Sequence, residues 1–300
     1  MKKRQLGSSD LHISEIGLGC MSLPTNSQDA SYIMDAALDY GINYFDTADL
    51  YDRGLNEEMI GQFIKGKRQD IILATKVGNV WDSSGDSWHW DASKTHIKEG
   101  IKDSLHRLKT DYVDLYQLHG GTIEDQWDKV IEAFEELKQE GMIREYGISS
   151  IRPNVLKRFL TTSNAVSVMM QYNLLDRRPE EWLDFIANQG ASVVTRGSVA
   201  KGLLTDEWQN RLIKTNGYLN YSKEELQNTL TKLAHSTSSI HAAALKTILQ
   251  HQTIASAVVG ASSKEQLAET IKAYVKMDTI ENIDELIHFT KQDTYTAHRN

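Results

Sequence analysis

Four residues stand where this sequence could do acid–base chemistry: Asp46, Tyr51, Lys76 and His119. Asp46 closes the apolar run Ile42-Asn43-Tyr44-Phe45, and Tyr51 follows it within Phe45-Asp46-Thr47-Ala48-Asp49-Leu50-Tyr51. Lys76 closes Ile71-Ile72-Leu73-Ala74-Thr75, and His119 closes Tyr112–Leu118 ahead of Gly120-Gly121. Asp46 and Tyr51 alone would also suit a turn cap and a surface phenol. A charge ending an apolar strand, however, is costly unless it is paired. Polar residues ending three successive strands point to a site. A phenol, with an ordinary pKa of about 10, is a poor acid at neutral pH. A neighbouring ammonium favours the phenolate and brings such a group into working range. Asp46 would pair Lys76 and hold it against Tyr51, while His119 orients a carbonyl oxygen. That set suits a reaction in which oxygen takes a proton while carbon takes a hydride.

The elements that must place these residues read as strands alternating with helices. A hairpin is expected over Lys2–Ile13, turning at Gly7-Ser8-Ser9-Asp10. Eight strand candidates follow: Ser14–Leu18, Ile42–Asp46, Ile71–Lys76, Tyr112–His119, Glu145–Ser149, Val166–Gln171, Ser192–Thr195 and Ser256–Val259. Ile97, Ile101, Leu105 and Leu108 recur at helical spacing, as do Val130, Phe134 and Leu137, and Leu226, Leu230 and Leu233. Such β-then-α units predict a parallel sheet closed into an α/β (β/α)8 TIM barrel. A doubly wound sheet with two added strands is the alternative. With no linker in sight, residues 1–300 read as one domain, with the N-terminal β-hairpin and an extra C-terminal helix at Ile280–Thr290. Two long excursions, Asn79–Ala92 with Trp81, Trp88, His89 and Trp90, and Lys201–Ser222, suit binding loops. The tryptophans would line a pocket or simply anchor their loop.

The bulk properties narrow the partners. The chain has 300 residues, is 40% hydrophobic and 25% charged, and carries a formal charge of −8. An acidic surface argues against nucleic acid and anionic membranes. The basic N-terminus lacks the apolar stretch of a signal peptide, and no apolar run is long enough to span a bilayer. Cys20 stands alone, so no internal disulfide forms, and it reads as a small buried residue. These features predict a cytoplasmic protein. Oligomeric state is open, a monomer being compatible with the sequence. No histidine shows metal-ligand spacing, so no metal is expected.

Two motifs fail on context. Gly17-Leu18-Gly19-Cys20-Met21-Ser22 lacks the third glycine and the following helix of a dinucleotide fingerprint. Gly61-Gln62-Phe63-Ile64-Lys65-Gly66-Lys67 has Arg68 where a phosphate loop needs Ser or Thr, and no strand precedes it.

In the order Gly17–Met21, Phe45–Tyr51, Glu57–Gly61, Thr75-Lys76, Leu118-His119, Gly147–Ser149, Gln171–Asn173, Gly202–Leu204 and Gly260–Ser262, the motifs resemble those of the aldo-keto reductases over nearly the whole chain. The resemblance implies a barrel that binds a nicotinamide cofactor without a Rossmann fold. It implies an Asp46–Tyr51–Lys76–His119 tetrad with Tyr51 as proton donor, reducing an aldehyde or ketone. It places Gly19 and Met21 beside the cofactor and Ser149 and Gln171 on the nicotinamide carboxamide. The family usually has Asn where this chain has Ser150. Where relatives read aromatic-Ser-Pro-Leu, this chain reads Arg196-Gly197-Ser198-Val199. A planar guanidinium can replace the stacked ring. Gly202 and Leu203 are expected to offer N–H groups to the pyrophosphate, and Gly260 to open a phosphate-binding helix start. Ser262 and Lys264 are candidates for a 2′-phosphate, Gln266 and Glu269 for adenosine. Relatives often carry Arg at position 262 and Asn at 270, where this chain has Ser262 and Thr270, so NADP(H) is favoured and NAD(H) stays open. A cofactor-sensing subunit of membrane channels is the competing role; a barrel isomerase or hydrolase is a weaker third.

Overall fold

The computed structural model describes residues 1–82, 84 and 86–299; Ser83 and Gly85 of the Asn79–Ala92 excursion, and Asn300, lie outside the described residues. The chain opens on an antiparallel hairpin, β1 (Lys3–Gln5) and β2 (His12–Ser14). The eight barrel strands are β3 (Ile16–Gly19), β4 (Tyr44–Asp46), β5 (Ile72–Val77), β8 (Val113–Leu118), β9 (Ile143–Ser149), β10 (Ser167–Gln171), β11 (Ser192–Arg196) and β14 (Ile254–Gly260). All their pairings are parallel, and the ring closes in chain order. This is the expected (β/α)8 barrel, hairpin included. The strands follow the predicted ones within a few residues. Ser14 belongs to the hairpin rather than the first barrel strand, and the last strand begins earlier, at Ile254.

Helices α1 (Ser27–Asp39), α2 (Leu55–Phe63), α3 (Lys94–Leu108), α4 (Trp127–Gln139), α5 (Pro153–Thr162) and α6 (Leu183–Asn188) follow successive strands. α7 (Trp208–Leu212), α8 (Lys223–Ser236), α9 (Ile240–Leu249), α10 (Lys264–Lys276) and α11 (Ile283–His288) complete the ring and its C-terminal addition. α3 starts at a Ser93 cap, and it buries Ile97, Ile101 and Leu108 from the predicted stripe. Gly61 sits where α2 meets α3: a Cβ there would lie 2.4 Å from the Arg107 carbonyl oxygen. That contact, not a phosphate, accounts for the glycine.

Two hydrophobic regions fix the barrel. One lies between strands and helices; Phe134, Tyr146 and Phe159 pack edge-on and stacked within it. The other fills the barrel interior, where Leu6, Leu11 and Ile13 of the hairpin pack with Tyr44, Ala74, Leu115, Met169, Val194 and Val258. The hairpin thus plugs the end opposite the strand C-termini. Its turn requires Gly7, at φ 54°, because a Cβ would lie 2.4 Å from the Val166 carbonyl oxygen.

The Asn79–Ala92 excursion is a short antiparallel hairpin, β6 (Asn79–Trp81) and β7 (Trp88–Trp90). Trp90 anchors it: its ring lies against the Gly78 and Gly120 positions, and its Nε1 donates to Asp125. The second excursion contains α7 and a small hairpin, β12 (Gly217–Tyr218) and β13 (Tyr221–Ser222). Among the described residues, no helix is long and apolar enough to cross a membrane.

Candidate active site

Strand register brings the tetrad together. Asp46 ends β4 beside Gly19 of β3, and Lys76 in β5 pairs with Gln117 of β8. Lys76 is fully buried and Asp46 nearly so, which makes an unpaired charge there very costly. Lys76 Nζ donates to Asp46 Oδ2 at 2.7 Å, to the Thr47 carbonyl at 2.6 Å and to Tyr51 Oη at 3.3 Å. An ammonium has three N–H donors, and all are committed. Burial works against the Lys76 charge, but Asp46 and Tyr51 outweigh it and hold the ammonium above its ordinary pKa. Because Tyr51 Oη accepts from Lys76, its own proton is free to point elsewhere.

Tyr51 opens a tight turn in which Asp52 and Arg53 have φ of 47° and 56°, with Gly54 at 88°. Non-glycine residues adopt that region rarely, and such strain concentrates at functional sites. His119 faces Tyr51 edge-on, with ring centroids 6.0 Å apart. Burial, then the charges of Lys76 and Arg196, push His119 down to about 3. It is therefore a neutral ring, with Nδ1 buried and unpartnered among the described residues. A neutral imidazole beside Tyr51 can orient a carbonyl oxygen by donating its ring N–H.

Gln117 was not anticipated. It is fully buried, and its Nε2 donates to Asp46 Oδ1 at 3.4 Å, steadying the carboxylate that holds Lys76. A polar residue two places before His119 in an apolar strand was the available signal.

The predicted cofactor residues lie along the same strand ends. Gly19 and Gly260 are paired neighbours, and the chain after β3 closely approaches Gly260: a Cβ there would lie 2.3 Å from Ser22 Oγ. Met21 is 63% exposed at that edge. Ser149, Gln171 and Arg196 end β9, β10 and β11. Arg196 Nη1 donates to Gln171 Oε1 at 3.0 Å, so the two form one polar wall, and Gly197 packs against Gln171 Cγ. Ser150 Oγ accepts from the Arg152 N–H and turns into its own loop rather than standing in for the family's Asn.

Other members of the set are engaged internally. Ser198 is buried; its hydroxyl donates to the Val258 carbonyl at 3.2 Å and bonds Thr195 Oγ1. The Gly202 and Leu203 N–H groups donate to the Val199 and Ala200 carbonyls. Holding a pyrophosphate requires that turn, with Ala200 and Lys201 left-handed at φ 47° and 57°, to reopen. At α10 the cap is Ser263, not Ser262. Ser262 N–H and Oγ both donate to Gln266 Oε1 at 3.0 Å, so these two candidates contact each other; Lys264 and Glu269 are exposed beside them. The Gln171–Arg196 wall, the paired glycines Gly19 and Gly260, and the exposed start of α10 all lie at the C-terminal ends of the barrel strands. Among the described residues no group of His, Cys, Asp or Glu could hold a metal ion.

The barrel and its mouth define the class. The aldo/keto reductase family model matches residues 15–288, and the chain belongs to that family of nicotinamide-dependent oxidoreductases. It is 56% identical over 306 residues to the uncharacterized oxidoreductase YqkF of Bacillus subtilis, covering all of both chains. It is also similar to the solved structure of aldo-keto reductase AKR11C1 from Bacillus halodurans, at 52% identity over the full length of both chains, with TM-scores of 0.92 for the holo form and 0.87 for the apo form. L-galactose dehydrogenase of Arabidopsis thaliana is 29% identical over 92% of this chain and 89% of that one.

Proposed function

We propose that this chain is an NADP(H)-dependent reductase that converts an aldehyde or ketone to the alcohol, with Tyr51 as proton donor. The observation that carries this reading is the saturated Lys76 ammonium, whose third donor goes to Tyr51 Oη. The reduced nicotinamide, when bound, supplies hydride to the carbonyl carbon. Tyr51 gives its proton to the carbonyl oxygen, and Lys76 stabilises the phenolate left behind by proximity of charge. Asp46 keeps Lys76 in place, and neutral His119 orients the oxygen without competing as an acid. Arg196 and Gln171 form the wall for the nicotinamide, Ser149 the opposite side, and Ser262 with Lys264 the 2′-phosphate end. The substrate is a small-molecule carbonyl compound.

The test is Tyr51→Phe. It keeps the ring and its contact with His119 while removing the proton. Turnover of a good aldehyde with NADPH is expected to fall by about 10²–10⁴, with NADPH affinity unchanged. Near-wild-type turnover overturns the assignment. Parallel titration with NADH separates the cofactor choice: tighter binding of NADH than NADPH overturns the role given to Ser262 and Lys264.

A further inference from the structure

The side-chain amide of Gln171 is held in one orientation by its neighbours. Its Nε2 donates to Asp176 Oδ2 at 2.9 Å and to Tyr218 Oη at 3.4 Å. Its Oε1 accepts from Arg196 Nη1 at 3.0 Å. Asp176 is nearly fully buried and gripped bidentately by Arg178, Nε to Oδ1 at 2.7 Å and Nη2 to Oδ2 at 2.8 Å. Arg178 in turn lies over the Tyr295 ring. Tyr218 Oη also accepts from Asn173 Nδ2 at 3.0 Å, which docks the β12–β13 hairpin against this group.

The chemistry of these partners leaves no freedom. A carboxylate clamped by a guanidinium only accepts, and a guanidinium only donates. Turning the amide over would set its NH₂ against Arg196 and its oxygen against Asp176. Both Gln171 N–H groups are thereby engaged, and one Oε1 lone pair remains open at the end of β10. Toward any ligand in the mouth, Gln171 is an acceptor only.

We propose that Asp176 is a positioning residue that sets this polarity, so that Gln171 reads a nicotinamide carboxamide solely through the carboxamide NH₂. This rests on the proposed placement of the nicotinamide beside Gln171. It assigns the carboxamide oxygen to the opposite side, toward Ser149. Asp176 lies in a turn closed by its mutual hydrogen bonds with Asn173, so its carboxylate acts on the cofactor only through Gln171.

Two oxidised cofactor analogues separate the halves of the carboxamide. The thionicotinamide analogue of NADP⁺ keeps the NH₂ and changes the oxygen to sulfur. The 3-acetylpyridine analogue keeps the carbonyl and replaces NH₂ by methyl. Dissociation constants come from quenching of tryptophan fluorescence, with no turnover needed. The wild-type protein is expected to bind the acetylpyridine analogue about tenfold more weakly than NADP⁺, the effect of an acceptor left without its donor, and the thio analogue within about threefold. In Asp176→Ala only the solvent-exposed Arg196 still favours this orientation, and the acetylpyridine penalty shrinks to about twofold. The wild-type comparison stands even if that variant folds poorly. Equal wild-type affinity for the acetylpyridine analogue and NADP⁺ overturns the proposal, as does a full penalty in folded Asp176→Ala. Gln171→Ala tells the failures apart. If NADP⁺ affinity is unchanged in that variant, the placement of the nicotinamide has failed and the polarity with it. If NADP⁺ weakens but the analogues are not discriminated, the placement stands and only the polarity falls.

Discussion

The two sides of the barrel mouth are built differently. On the β4–β5–β8 side, Asp46, Lys76 and Gln117 are buried, and the Lys76 ammonium is answered at short range by Asp46 and the Thr47 carbonyl. On the β11–β14 side, Arg196, Ser262, Lys264 and Gln266 are exposed and held by few contacts. Burial makes the first side nearly obligatory, since one missing partner leaves a charge in a low dielectric. Solvent makes the second side permissive, since water replaces any partner that is lost. The proposed proton-handling residues sit on the first side, and Arg196 and Ser262, two of the positions where the sequence departs from the pattern it resembles, sit exposed on the second.

The largest effect expected from this contrast is at Lys76. Lys76→Met keeps the length of the side chain and strands the Asp46 carboxylate. Removing one partner of a buried ion pair costs about 3–5 kcal/mol, read as a loss in denaturant unfolding free energy. Adding Asp46→Asn to Lys76→Met should return a large part of that stability while activity stays lost. If Lys76→Met alone unfolds like the wild type, the tetrad side is not held by its charges and the contrast collapses.

The same contrast explains what the sequence discloses. Lys76 was legible because a lysine closing Ile71–Thr75 must have a partner, and Asp46 stood at the end of the preceding strand. Gln117 was not, because its partner lies 71 positions away and only barrel closure brings Gln117 Nε2 to Asp46. Asp176 was hidden for a different reason. Its grip on Gln171 depends on the turn closed by Asn173 and Asp176, and spacing says nothing about which way an amide faces. The engaged N–H groups of Gly202 and Leu203 follow from left-handed Ala200 and Lys201, residue types that give no turn signal. The β6–β7 hairpin reads as a loop in the sequence, because its polar middle masks the alternation of Trp88 and Trp90 against His89.

An intermediate effect is expected at His119, between the two sides and sensitive to both. Its pKa in the folded protein is pushed down to about 3, against about 6.5 in the unfolded chain. The unfolded state thus binds the extra proton first. His119's contribution to stability is complete above pH 6.5 and is lost as pH falls toward 3, at up to about 1.4 kcal/mol per pH unit. His119→Asn should flatten the acid limb of the stability profile by that slope. It should also leave the shape of the kcat–pH profile between pH 5 and 8 unchanged, because the ring does not titrate there. An acid limb in kcat that vanishes in His119→Asn would mean the ring is charged during turnover, and would move His119 to the solvated side of the comparison.

The smallest effect belongs to the exposed side. Arg196→Ala removes a guanidinium that donates to Gln171 and stands open to water. Stacking and charge at an exposed position contribute about 0.5–1 kcal/mol, so the dissociation constant for NADPH should rise about two- to fivefold while kcat changes little. Salt sharpens the distinction. Screening acts on exposed charges within a Debye length of about 10 Å at 0.1 M ionic strength, and much less on buried pairs. Raising ionic strength should weaken NADPH binding in the wild type more steeply than in Arg196→Ala, with unfolding free energy nearly unaffected in both. If the salt slopes are equal, the guanidinium does not face the cofactor's charge and holds only Gln171. In Arg196→Ala the acceptor polarity of Gln171 rests on Asp176, and discrimination between the two cofactor analogues should persist.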